Sequence, residues 1–345
     1  VRRALLALGL LFAGTVLFIA LFEWEIRDRQ PARLPATAPT VEASLRPEIA
    51  DKLRDLDLPW VTTDAGWEIL PGEDARRRWP QFVDWVAAEY GVPVTKKWVT
   101  IISRGQTLNV RAPDRGWLVL VIDDVGFQRQ PVERLLALEQ PMVFAVLPGR
   151  PLSQALARRV RTAGQDLMLH QPMEPQSYPR QRPGKYALFV SDSVETWQSV
   201  LDRNLVSLAG VRGVNNHMGS RFTANPHGMS FLAGWLREQD LFWLDSLTTN
   251  QSQARAACEA VGVPYFARDV FLDHERTEAS LDQQITRWYR AAERQGLAIA
   301  IGHPHSVTVS GLEAAIARAG KRGLRLVDVD RMLAYARARK PGEAG

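Results

Sequence analysis

Cysteine is almost absent from this chain. Cys258 is the single one in 345 residues, which excludes an intramolecular disulfide framework and any CxxC zinc or redox motif. Lysine is scarce too, and no basic block runs longer than Arg76 to Arg78. With 43 Lys and Arg against 38 Asp and Glu, the formal charge of +5 builds no groove for nucleic acid, so no nucleic-acid partner is expected. No GxGxxG follows the first apolar run of the main region, and no P-loop occurs anywhere, so the usual dinucleotide and nucleotide cradles are missing. Disorder throughout is excluded by a hydrophobic content of 46%.

What is present begins with a run free of charge from Ala4 to Phe22. As a helix rising ~1.5 Å per residue, it is long enough to cross nearly 30 Å of hydrocarbon. Arg2 and Arg3 precede it, and a mixed-charge stretch comes after it, so the positive-inside bias puts the N-terminus in the cytoplasm. The expectation is a single-pass signal-anchor over 1–29 in a bacterial inner membrane, with everything beyond it exported to the periplasm. Residues 30–47, rich in Pro and Ala, read as a linker. Residues 48–115 read as a small α/β module, with a helix near 79–90 and apolar runs at 98–102 and 107–110.

From residue 116 to 335, short apolar runs alternate with longer amphipathic segments. The runs fall at 117–122, 143–147, 166–169, 212–214, 241–244, 264–267, 297–301 and 324–327. This is the pattern of repeated βα units, and the count predicts a distorted (β/α) barrel of seven or eight parallel strands, ahead of a C-terminal tail at 336–345. Parallel barrels gather their chemistry at the C-terminal ends of the strands. There the chain carries Asp123 and Asp124, His170, Asn215 with His217, Asp245, Arg268 with Asp269, and His303 with His305. Four of the six histidines sit at such ends.

An Asp and two His from separate strands make a three-ligand metal site with positions open for water and substrate, suited best to Zn²⁺ among divalent ions. Asp124, His170 and His217 fit the ligand roles. Asp123 fits a general base and His303 a general acid, the division of labour of a metal-assisted hydrolase.

At these residues the chain resembles the divergent polysaccharide deacetylase family, distant relatives of the NodB-type carbohydrate esterases. The landmarks are Val-Ile-Asp-Asp-Val-Gly (121–126), Leu-His-Gln-Pro-Met-Glu-Pro (169–175), Gly-Val-Asn-Asn-His-Met-Gly-Ser-Arg-Phe-Thr (213–223), Leu-Asp-Ser-Leu-Thr-Thr (244–249), Arg-Asp-Val-Phe-Leu-Asp (268–273) and Ala-Ile-Gly-His-Pro-His (300–305). The resemblance covers 117–333. It implies a distorted barrel, a divalent metal, and removal of N-acetyl groups from an acetylated amino-sugar polymer of the envelope or an exported one. It also implies that Asp123 is the base, Asp124 and His170 are metal ligands, and His303 is the acid.

The family's second metal histidine falls where this chain has Glu174, so His217 and Glu174 both stand as candidates for the third ligand. The family's Arg-Pro-Pro-Tyr motif is replaced by 215–219, leaving Arg221 or Arg268 to orient the base, and Asp245 or Asp269 to support His303. Two other readings stay open. One is a catalytically inactive glycan-binding or scaffolding protein on the same fold. The other is a different metallohydrolase drawing two ligands from His303 and His305.

Overall fold

The computed structural model describes residues 45–92, 95, 97–103 and 105–339. The expected membrane segment, most of the linker and the last six residues lie outside them. Among the described residues no helix is long and apolar enough to cross a membrane.

Of the described residues, those from 47 onward are grouped in one compact unit. The first elements are helix α1 (Leu45–Asp55), strands β1 (Trp60–Thr63) and β2 (Gly66–Ile69), helix α2 (Glu73–Tyr90), and strands β3 (Trp98–Ser103) and β4 (Gln106–Arg111). Helix α1 takes in the last three residues of the expected linker. The four strands form their own sheet in the order β1-β2-β4-β3. Its alternation is clear in β3, where Val99 and Ile101 are buried while Ile102 is exposed.

A larger parallel sheet comes next. Its strands are β5 (Gly116–Val125), β6 (Val143–Val146), β7 (Asp166–Met173), β8 (Gly213–Met218), β9 (Phe242–Asp245), β10 (Tyr265–Ala267), β11 (Val270–Phe271), β12 (Leu297–Gly302) and β13 (Leu324–Leu326). All eight expected strands are present. The short β11 was not expected, because two residues make too brief an apolar run to read. The intervening helices are α3 (Gln130–Leu136), α4 (Ser153–Thr162), α5 (Val194–Ser207), α6 (Pro226–Glu238), α7 (Ala254–Val261), α8 (Glu278–Gln295), α9 (Ser306–Lys321) and α10 (Val329–Ala338). Helix α10 runs three residues into the expected tail, where Ala336 and Ala338 still pack against the inward cluster.

The sheet order is β10-β9-β8-β7-β6-β5-β12-β11, with β13 pairing beside β5. Its two ends are successive parts of one stretch, 265–271. The first half of that stretch pairs with β9, and the second half pairs with β12. The sheet is therefore curled, barrel-like, and bridged by a single interrupted segment rather than closed by a continuous ladder.

The strand pleat divides the core in two. Leu118, Leu120 and Ile122 pack outward with the helices α3 to α9. Trp117, Val119 and Val121 pack inward with Met168, Leu244, Ile299 and Ile301, over residues of α10 such as Met332 and Tyr335. Period two then selects the residue that ends each inward series. After Val121 comes Asp123, after Met168 comes His170, and after Ile301 comes His303. Gly213 begins the corresponding series of β8, Gly213-Asn215-His217. A Cβ at Gly213 would lie 2.5 Å from the Phe242 ring, so glycine is what allows β8 and β9 to approach.

Candidate metal centre and its surroundings

Asp124 breaks the alternation. The β5–β6 register shifts between Ile122 and Val125, and Asp124 takes a positive φ of 55°. An irregularity of this kind turns two successive carboxylates toward one cleft. Asp124 Oδ1 lies 2.9 Å from His217 Nδ1 and 3.2 Å from His170 Nε2, and those two nitrogens are 3.3 Å apart. Three ligand atoms thus surround one point. Asp124 Oδ1 is buried without a hydrogen-bond partner. The two imidazole nitrogens beside it contact each other rather than bonding to it, and the three together form a donor set that fits a cation. A cation at the usual ~2.0–2.1 Å from each ligand sets them about 3 Å apart, as here. Burial would raise the Asp124 carboxyl, but His170 and His217 outweigh it and hold it well below the ordinary range.

Asn215 organises the pair behind that cluster. Its Nδ2 donates to Asp123 Oδ1 at 2.8 Å, so its Oδ1 is left to accept from His170 Nδ1, also at 2.8 Å. That arrangement puts the His170 proton on Nδ1 and leaves Nε2 as a lone pair facing Asp124. Asp123 is 2% exposed, and burial raises its pKa against the pull of His170 and His303. The expected orienting arginines do other work. Arg268 donates to the Ser246 and Leu247 carbonyls, and Arg221 pairs with Glu174 at 3.0 Å.

Glu174 is not brought to the cluster. Its Oε2 accepts from Val190 N and its Oε1 from Arg221, because the chain turns away after β7 to bond with Leu188. His217 instead completes the group with Asp124 and His170.

His303 faces the same point from β12, with Nε2 3.9 Å from Asp124 Oδ2. Its support is neither Asp245 nor Asp269. Asp245 holds the loop after β9, accepting from Leu247 N and Ser252 Oγ. Asp269 accepts from Ile299 N and Gln295 Nε2. The partner is Asp273, which accepts from His303 Nδ1 at 2.9 Å, His303 N at 2.7 Å and Thr308 Oγ1 at 2.8 Å. The physical reason is the pleat. Phe271 packs with the inward cluster and Asp273 comes two residues after it, whereas Asp245 comes one residue after the inward Leu244. Counting parity from Phe271 would have found Asp273. Burial lowers the His303 pKa, yet the bond to Asp273 outweighs it and raises the imidazole to about 9.

His305 stacks on His303 with ring centroids 5.7 Å apart, and with Asp273 the two offer a second group of close ligand atoms. The engagement of His303 with Asp273 fits His303 as a proton carrier rather than a ligand. Burial lowers the His305 pKa. Of the other aromatic residues of the cleft region, Phe222 is fully buried, while Phe127, Tyr178 and Tyr186 are exposed.

Comparisons with known proteins bear on family and fold. The uncharacterized protein YibQ of Escherichia coli is 35% identical over 198 residues, 57% of this chain and 61% of its own length. An uncharacterized protein of Haemophilus influenzae is 33% identical over 204 residues, 58% of this chain and 70% of that one. This chain therefore spans less than two thirds of YibQ. Among solved structures, the uncharacterized protein ATU2773 from Agrobacterium tumefaciens superposes with a TM-score of 0.59 at 24% identity, over 63% of this chain and 89% of that one, a likeness of fold. The divergent polysaccharide deacetylase profile matches residues 120–333, which take in every ligand, base and acid candidate described above, and the chain belongs to that family.

Proposed function

We propose that this chain is a metal-dependent hydrolase that removes N-acetyl groups from a cell-envelope or exported polysaccharide. The observation that carries the reading is the convergence of Asp124, His170 and His217 on one point, with Asp123 and His303 beside it. A bound divalent cation, Zn²⁺ by the donor set, supplies Lewis acidity toward the acetyl carbonyl and acidifies water.

The chain's own residues do the rest. Asn215 occupies Asp123 Oδ1, which leaves Oδ2 to take the proton of the attacking water. Burial without an arginine partner raises Asp123, so it accepts a proton more readily than an ordinary aspartate. His303, kept protonated at neutral pH by Asp273, gives its Nε2 proton to the departing amine. The uncharged run from Ala4 to Phe22 supports a periplasmic location with the chain anchored in the inner membrane.

The test is elemental analysis of the purified protein together with acetate release from N-acetylated amino-sugar oligomers. Near-stoichiometric metal and chelator-sensitive acetate release are expected, with metal lost in Asp124→Ala. Stoichiometric metal without acetate from any oligomer would favour a glycan-binding protein on this fold, and absence of metal would remove the reading. A reporter fused after Gly345 should be active only outside the cytoplasm.

A further inference from the structure

Beyond the C-terminal ends of β6 and β7 lies a cavity of about 350 Å³, lined by Gly149, Arg150, Tyr186, Arg203 and Asn204 among others. It is formed by the loop after β6, the loop after β7, and one face of α5. Two contacts tie it to the segments that carry the centre's ligands. Phe127, three residues beyond Asp124, lies beneath the Arg150 guanidinium at 4.9 Å. Asn204 donates to Gln171, the neighbour of His170, at 2.7 Å.

The electrostatics of its wall are one-sided. Arg203 sits over the Tyr186 ring at 4.9 Å, and neither Arg150 nor Arg203 has a carboxylate partner among the described residues. Arg150 Nε is buried with no hydrogen-bond partner. Arg221, by contrast, is paired with Glu174. Asn204 is 0% exposed, and its Oδ1 also lacks a partner. A buried acceptor without a donor is costly, and a ligand hydroxyl or N–H can relieve it. The wall thus offers two unpaired guanidinium groups, one acceptor, and the exposed ring of Tyr186.

We propose that this cavity is a subsite for an acidic substituent, a carboxylate or phosphate, on a sugar of the glycan held at the metal centre. Arg150 and Arg203 hold the oxyanion. Asn204 Oδ1 accepts from a hydroxyl or amide of the same sugar, and Tyr186 packs against its ring. This deepens the deacetylase reading and rests on its choice of a glycan. It assigns the substrate class as an acidic polysaccharide, in which a charged residue lies close to the one losing its acetyl group.

The test is calorimetric titration of the full chain at low salt, with and without chelator. Three ligands are compared: the N-acetylglucosamine hexamer, the same hexamer oxidised to carboxylates at C6, and the same hexamer phosphorylated at C6. At least one acidic hexamer should bind about tenfold more tightly than the neutral one. The stronger of the two identifies the anion. In Arg150→Gln/Arg203→Gln that advantage should vanish while the neutral hexamer binds as before, and Arg150→Lys/Arg203→Lys should retain most of it. Equal affinities for all three ligands would overturn the proposal, as would an advantage that survives the Gln pair or one that disappears with chelator alone. Because the titration reads binding without turnover, a failure to release acetate counts against the deacetylase reading and leaves the acidic preference to be judged separately.

Discussion

Glu68 and Asp123 have almost equally little exposed surface, 3% and 2%; Asp123 is near the C-terminal end of barrel strand β5, and Glu68, on β2 of the small sheet, lies toward the other end of that strand. Glu68 meets Arg325 at 2.6 Å and Arg331 at 2.9 Å near the N-terminal end of β5. Burial pushes its pKa up, but the two arginines overcome this and bring it down to about 2. Asp123 has an amide and two histidines in place of arginines, and its pKa rises. Similar exposure therefore accompanies opposite proton affinities: Asp123 lies deeper and has no arginine bonded to it, whereas two arginines hold Glu68 ionised. A carboxylate held ionised by two arginines is a structural fastener. One left without them is a proton acceptor.

The largest effect should come from Asp123→Asn, which keeps the shape and removes the base. Acetate release should fall by about 10²–10⁴-fold with metal content unchanged; a variant keeping a tenth of the activity would sink the assignment. Asn215→Ala removes the shared hydrogen-bond partner of Asp123 and His170. Metal affinity, measured by competition with a chelator, should fall by roughly 10–100-fold.

At the other end, Glu68→Gln should cost about 1–3 kcal/mol in denaturant unfolding, with activity per folded molecule intact. Because the Glu68 pKa is depressed, its contribution is present above pH 4.5 and is lost as pH falls through about 2. That part of the acid sensitivity should be missing in the variant, and an unchanged acid profile would contradict the pairing. The smallest effect expected is in pH dependence. His303 stays protonated up to about pH 9, so activity should decline on the alkaline side near there. In Asp273→Asn the decline should begin at lower pH; an unmoved limb would separate Asp273 from the acid.

Much of the site was legible because each candidate sits at the end of an apolar run. Asp123, His170, His217 and His303 could be picked from the one-dimensional pattern, and the structure brings all four within reach of Asp124. The supporting residues were harder. Asn215 and Asp123 are 92 positions apart, and Asp273 lies 30 positions before His303, just beyond a strand of two residues. Glu174 had the right chemistry and the right spacing, yet its oxygens go to Val190 and Arg221 once the chain turns after β7.

By itself, then, the sequence determined the alternation of strands and helices, the residues that end each strand, and the sign of the charge they carry. These are local properties, set by hydrophobic period and by neighbours along the chain. Tertiary structure decided which carboxylate supports His303, which residue completes the ligand set, and which of two carboxylates, Asp123 or Glu68, has the higher proton affinity. Those outcomes depend on strand parity and on donors that arrive from distant segments, and hydrogen bonds and Coulomb forces act only between groups that folding has already brought together.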